Sequence, residues 1–329
     1  MFDDVDAVAE SEGFSGVVTV DVDGVEELRV VRGLADRRWG IPNAVETAFA
    51  LASGSKGFTA LAVLSLVEDG AFALDTPVRE LRGDDLPLID PLVTVRHLLT
   101  HRSGIGDYLD EGDDGAITDY VMGVPVHTLV NAADFLPVVD GFPQVFPPGE
   151  RFAYCNGGFV VLSIIAERVS GMPFADLVAQ RVFEPAGMRN SGYFRSDALP
   201  TGAAVGYLFA PGDDDRTNVL HLPVRGVGDG GAYATAGDLS RFWRALFAGA
   251  IVSKDAVALL STPTSTGVEG SRAYGTGFWL DDGGRVALEG YDAGVSYYGS
   301  HDPATGRSVS VLSNWSDGAW PVARALLSS

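Results

Sequence analysis

Ala52-Ser53-Gly54-Ser55-Lys56-Gly57-Phe58-Thr59-Ala60 sets a serine three residues ahead of a lysine at the head of an apolar run. At helical spacing, positions i and i+3 share a face with Cβ atoms roughly 5–6 Å apart, so the Lys56 amine reaches the Ser53 hydroxyl. A cation in the first turn of a helix opposes the macrodipole, and burial opposes it further. Both effects favour the neutral amine that a proton acceptor needs. Arginine is unable to take this part, because its pKa stays above about 12. The choice of lysine carries weight here, since 23 basic residues include only two lysines, Lys56 and Lys254. A serine at a helix start also commonly serves as an N-cap, so context decides between the two readings. That context is Phe58-Thr59-Ala60-Leu61-Ala62-Val63-Leu64-Ser65-Leu66-Val67-Glu68-Asp69-Gly70, apolar on nearly every face and closed by glycine. The spacing predicts a buried central helix with Ser53 at its N-terminus.

Working outward, 329 residues with 46% apolar content suffice for a large core, in one big domain or two closely packed ones. The 44 acidic residues outnumber the 23 basic ones, giving a net charge of -21. Such a surface repels phosphate, which argues against nucleic acid and anionic membranes as partners and for a small-molecule substrate. Acidic pairs such as Asp84-Asp85, Asp113-Asp114, Asp213-Asp214-Asp215 and Asp281-Asp282 read as solvated loops without calcium-loop spacing. A single cysteine, Cys155, excludes an intrachain disulfide framework and a Cys-rich zinc site. The start Met1-Phe2-Asp3-Asp4-Val5-Asp6 has neither a basic nor an apolar export region, and no run approaches the ~20 apolar residues of a membrane span. The expected location is cytoplasmic.

Residues 2–10 read as an amphipathic helix, and Gly16 to Val31 as a hairpin turning at Asp23-Gly24, with Val18, Val20 and Val22 on one face. Residues 75–228 are rich in proline, glycine and short helical patterns such as Val95 to Leu99 and Phe159 to Val169. Helices follow at Thr235 to Phe247 and Ser253 to Leu260. Strands are expected at Tyr274 to Leu280, Arg285 to Tyr291, Ser296 to Ser300 and Val309 to Leu312, and a last helix at Pro321 to Leu327. This order predicts an α+β fold whose antiparallel sheet is built from both chain ends. The expected sheet domain comprises residues 1–78 and 229–329, the mainly helical domain residues 79–228, and the active site lies between them.

A second motif, Tyr154-Cys155-Asn156, is the sole Y-x-N and follows the turn-forming Phe146-Pro147-Pro148-Gly149-Glu150-Arg151-Phe152. A phenol beside an amine in a dry pocket can exchange protons with a serine. Combined with S-G-S-K-G-F-T-A, Leu74-Asp75-Thr76-Pro77-Val78, Val95-Arg96-His97-Leu98-Leu99-Thr100-His101-Arg102-Ser103-Gly104-Ile105, Glu184-Pro185-Ala186-Gly187-Met188 and Gly230-Gly231-Ala232-Tyr233-Ala234-Thr235, the chain resembles the serine β-lactamase and penicillin-binding-protein superfamily, in its class C and related esterase branch. The resemblance implies a β-lactamase-like fold, Ser53, Lys56 and Tyr154 as catalytic residues, Asn156 contacting Lys56 or substrate, and no metal or organic cofactor. It also implies an oxyanion site from the Ser53 and Gly294 N–H groups.

The third family element, a lysine or histidine two residues before a glycine, is absent: no K-x-G or H-x-G occurs. Aligning on Gly290 and Gly294 puts Tyr291-Asp292-Ala293 in its place, with Asp292 turned to the opposite strand face. Without that cation, substrates bearing a carboxylate lose their partner. The expected function is a Ser53 acyl-enzyme hydrolase for neutral esters or amides. An acyltransferase of secondary metabolism, a true β-lactamase or D-peptidase, and a sensor acylated without turnover are the alternatives. Of the aromatics Tyr108, Trp279, Tyr291, Trp315 and Trp320, only Tyr108 and Tyr291 are assigned to the substrate pocket. Gly226-Val227-Gly228-Asp229-Gly230-Gly231 matches G-x-G-x-x-G, but Pro223 interrupts the strand a dinucleotide site needs. His97 and His101 read as packing residues, since zinc needs three or four ligands.

Overall fold

The computed structural model describes residues 3–109, 115–281 and 283–327, so the acidic pair at 113–114, Asp282 and the start of the expected first helix lie outside the described residues. Eight antiparallel strands form one sheet: β1 (Gly16–Val22), β2 (Val25–Arg32), β3 (Ser265–Glu269), β4 (Arg272–Tyr274), β5 (Trp279–Leu280), β6 (Val286–Asp292), β7 (Val295–Asp302) and β8 (Arg307–Ser313). Their order is β2-β1-β8-β7-β6-β5-β4-β3, so strands from the two chain ends meet where β1 pairs with β8 from Gly16↔Ser313 to Val22↔Arg307. The β1–β2 turn is closed by Asp23 (φ 51) and Gly24 (φ 81), the twist-matched geometry that an Asp-Gly pair favours.

Helices cover both faces of the sheet. The ones used below are α1 (Asp3–Ser11), α2 (Lys56–Glu68), α3 (Val95–Leu99), α4 (Asn156–Ser170), α5 (Ala236–Ala248) and α6 (Ala319–Leu327). Val5 and Ala9 of α1 and Val322 and Leu326 of α6 join Val18 and Val20 of β1 in one apolar layer. Val17 faces the other way, into a larger core with Phe58 and Leu61 of α2, Phe159 and Ile165 of α4, and Phe242 of α5. The strand expected to show one apolar face is therefore buried on both. Every residue of α2 from Lys56 to Leu66 is buried, and each large aliphatic or aromatic side chain there contributes about 1.5–3 kcal/mol of transfer free energy. The larger core runs without a break from the sheet into the helices of the middle region.

Two local expectations change. Tyr274 to Leu280 is not one strand but a tight hairpin, with Tyr274 paired to Trp279, because Gly275 and Gly277 (φ +81) reverse the chain between β4 and β5. Strand β3 was not expected, and its residues Ser265–Glu269 give the reason: a threonine, a glycine and a mostly exposed edge provide little alternating signal.

Candidate active site

Ser53 lies in a 3-10 turn, Ala52–Ser55, that runs directly into α2. Ala52 holds φ at +44°, a left-handed conformation that costs a residue with a Cβ about 1–3 kcal/mol and is sustained by its surroundings. Those surroundings are β6 and β7. A Cβ on Gly290 would stand 1.9 Å from the Leu51 carbonyl oxygen, and one on Gly54 would stand 2.5 Å from the Tyr297 ring. Both glycines let the sheet back directly against the turn, which fixes the Ser53 backbone from beneath.

Lys56 is 2% exposed, and the oxygens bonded to its amine include Ser53 Oγ at 2.8 Å, Asn156 Oδ1 at 2.8 Å and the Asp229 carbonyl oxygen at 2.9 Å. Asn156 is oriented by its amide nitrogen, which donates to the Leu109 carbonyl at 3.3 Å. An amide oxygen and a peptide carbonyl only accept, so they consume the two N–H groups of a neutral amine. The remaining lone pair then faces the Ser53 hydroxyl. This arrangement suits proton abstraction from Ser53, and the third N–H of an ammonium fits the same place after transfer.

Tyr154 presents its ring to Lys56, whose Nζ lies 4.9 Å from the ring centroid. The ring is stacked between His101 (4.2 Å, 27°) and Trp279 (6.1 Å, 8°). His101 also accepts the Cys155 N–H on Nδ1 at 3.0 Å, so it grips both the side chain and the following peptide of the Y-x-N motif. Burial, with the Lys56 charge adding to it, holds the His101 pKa well below the ordinary imidazole range, so this ring is neutral. Asn156 begins α4 and does not belong to a preceding loop, which explains its fixed aim at Lys56.

Ser53, Lys56, Tyr154 and Asn156 are thus brought together, whereas Gly294 is not. Its N–H donates to Ser316 Oγ at 2.9 Å, and its φ of +73° belongs to the β6–β7 turn. The expected oxyanion role of Gly294 is withdrawn on that ground. Tyr291 sits at the rim, 45% exposed, with its ring edge-on to Trp320 at 6.2 Å. Partial burial, with Asp317 beside it, raises its phenol pKa. Asp292, expected on the far side, instead lines the cleft. So do Trp279 and Trp320, which had been left out of the pocket.

Two carboxylates near Ser53, Asp107 and Asp229, are not singled out by the sequence reading. Asp107 accepts the N–H groups of Asn156 at 2.5 Å, Gly157 at 2.8 Å and Tyr108 at 2.8 Å. Burial nonetheless raises its pKa, against the pull of these donors and of Lys56. Asp229, whose pKa burial also raises, accepts the Tyr108 hydroxyl. Tyr108 in turn has its pKa driven well up, first by burial and then by Asp229, Asp107 and Asp292. The readable signal was the glycine-rich run 226–231. Its glycines permit close packing, since a Cβ on Gly228 would meet the Phe159 carbonyl at 2.0 Å, and Thr59 Oγ1 donates to the Gly228 carbonyl at 2.6 Å. That run cradles Lys56 and opens no helix, which disposes of the dinucleotide match.

The cleft has a volume of about 1160 Å³ and is lined by Asp107, Asp119, Asp229, Glu269, Glu289 and Asp292, with Arg272 as the one arginine among the described lining residues. Arg272 is held by three carboxylates through Nε and Nη1, Asp281 at 2.7 Å, Glu289 at 2.8 Å and Glu269 at 3.1 Å, while its Nη2 is buried without a hydrogen-bond partner. Arg102 donates to Ser265 Oγ at 3.1 Å and to the Gly149 and Thr264 carbonyls, and Arg225 donates to the Tyr193 carbonyl at 2.9 Å. Among the described residues no three His, Cys, Asp or Glu side chains form a metal-binding group, and no single helix is long and apolar enough to cross a membrane.

The Beta-lactamase family model matches residues 3–327. Esterase EstB of Burkholderia gladioli is 30% identical over 87% of this chain and 82% of its own length. Penicillin-binding protein 4* of Bacillus subtilis is 29% identical over 84% of this chain, which spans 62% of that relative. The crystal structure of a penicillin-binding protein from Bacillus halodurans superposes with a TM-score of 0.90 at 38% identity, covering 100% of this chain and 99% of that one. The chain therefore belongs to the beta-lactamase family and is a serine hydrolase of that type.

Proposed function

We propose that this protein is an esterase or amidase whose Ser53 carries the acyl group of substrates lacking a carboxylate. The Lys56 amine, fixed by two obligate acceptors with its third direction on Ser53 Oγ, is the observation that carries the reading. Ser53 Oγ attacks the substrate carbonyl as its proton passes to Lys56 Nζ, and the C–O or C–N bond to the leaving group breaks as that proton is delivered through the Tyr154 phenol. Water then attacks the acyl-enzyme, releases the acid and returns a proton to Ser53. The Ser53 N–H at the head of α2 supplies one oxyanion donor. A second comes from the β6 backbone between Leu288 and Asp292, beyond the last pair with β5 at Ala287↔Trp279.

Six acidic side chains against a single arginine that already bonds three carboxylates disfavour an anionic substrate group in this cleft. EstB is named an esterase, in keeping with an ester substrate. Intact-protein mass spectrometry with matched p-nitrophenyl esters, neutral and carboxylate-bearing, tests the reading. The expected result is an acyl adduct and many turnovers on the neutral ester, with both absent in Ser53→Ala. An adduct that survives in Ser53→Ala, or a carboxylate-bearing ester or benzylpenicillin turned over as fast as the neutral ester, refutes it.

A further inference from the structure

Both groups that hold the Lys56 amine are themselves held by one short loop. Asp107 bonds the Asn156 N–H at 2.5 Å, and the Leu109 carbonyl accepts from the Asn156 amide at 3.3 Å, so Asn156 is pinned at backbone and side chain from residues two apart. Between them, Tyr108 donates its hydroxyl to the Asp229 carboxylate, while the carbonyl of the same Asp229 receives Lys56. The loop is anchored in turn. Tyr120 donates to the Tyr108 carbonyl at 3.1 Å, and the Tyr108 N–H closes back on Asp107 at 2.8 Å. Asp107 also accepts the Gly157 N–H at 2.8 Å, placing a carboxylate on the first turn of a 15-residue helix, where the dipole favours it.

We infer that Asp107 and Tyr108 are positioning residues: the 107–109 loop sets the directions of the two acceptors around Lys56 and so aims its lone pair at Ser53. The inference rests on Lys56 being the base in the proposed reaction. Without the loop, Asn156 and Asp229 would retain their identities but lose the mutual angle that turns the amine toward Ser53. Proton transfer is sensitive to that angle, and misplacement by about 1 Å costs on the order of 10²-fold. The ionisable groups facing Lys56 come from four segments: Asp107 from this loop, Asp229 from the glycine-rich run, Tyr154 and Cys155 from the Y-x-N motif and His101 from the end of α3.

Tyr108→Phe removes one hydroxyl and keeps the ring on the cleft wall. Its acylation rate, measured by single-turnover reaction with p-nitrophenyl butyrate and by fluorophosphonate labelling of Ser53, is expected to fall roughly tenfold to a hundredfold with KM within about twofold. The acid limb of the pH–rate profile, which reports the base Lys56, should move to lower pH, because losing the hydrogen bond favours neutral Asp229 and so removes negative charge that favours protonated Lys56. Tyr108→Phe combined with Asp229→Asn should be no slower than the slower single variant, since the two act through one contact. A Tyr108→Phe enzyme with an unchanged profile and a raised KM alone would make Tyr108 a substrate wall and overturn the inference. Additive losses in the double variant would do the same. Asp107→Asn should lower the same acylation rate, and if it does not fold the Tyr108 measurements decide the inference without it. Failure of the underlying reading looks different, since Lys56→Arg would then lose only a few-fold in rate or wild-type Ser53 would not be labelled at all.

Discussion

The Ser53 turn and the β6–β7 turn both meet β6, yet they answer to different constraints. At the first, Ser53 and Lys56 are one helical turn apart on a segment buried from Lys56 to Leu66, so spacing along the chain already determines their separation in space. At the second, Tyr291, Asp292 and Gly294 lie near one another in sequence but part ways: to the Trp320 ring, to the cleft wall and to Ser316 Oγ. The places of Tyr291 and Gly294 depend on partners more than 20 residues away. A helical motif carries its own geometry, whereas a strand end borrows its geometry from whatever packs beside it.

The largest test of this contrast is Lys56→Arg, which keeps the charge and removes the accessible lone pair. A loss of about 10²–10⁴ in kcat on a p-nitrophenyl ester is expected, and a loss of only a few-fold would reduce Lys56 to an electrostatic role. Next is Gly290→Ala, at the junction of the two regions. Its Cβ would meet the Leu51 carbonyl at 1.9 Å, so β6 must move away from the nucleophile turn. Thermal melting should show a loss of about 1–3 kcal/mol, with activity falling further than stability; a variant as active and stable as wild type would mean that the backing of Ser53 by β6 is dispensable. The smallest effect is expected from Tyr291→Lys. A lysine at this half-exposed rim meets Asp292 and Asp317 before it meets a substrate, so kcat/KM for a carboxylate-bearing ester should rise less than about tenfold. A larger rise would show that the rim controls substrate charge more than the acidic cleft walls do.

The same contrast explains what was legible beforehand. The α+β architecture, the sheet drawn from both chain ends, the central helix and the Asp23-Gly24 hairpin follow from periodicity and turn chemistry, which are local. The approach of Tyr154 and Asn156 to Lys56 was reached through motif resemblance. The roles of Asp107 and Asp229 were not, because each acts through a partner 49 to 173 residues distant, and an aspartate beside glycine looks like any solvated turn. Gly294 was misplaced for a related reason: flanking glycines matched a pattern, while the fate of its N–H depended on Ser316 across the turn. The break at Gly275 and Gly277 shows that a run of good strand formers does not reveal a reversal hidden within it.

The scarcity of lysine has a practical side. Lys56 is almost wholly enclosed, while Lys254, the other lysine, is exposed and opens the helix Lys254–Leu260 away from the residues that line the cleft. Reagents that acylate accessible amines will therefore meet one lysine side chain and miss the other. Dye or resin attached through Lys254 leaves the cleft mouth unobstructed, and the α-amino group is the other amine that such reagents must be steered away from.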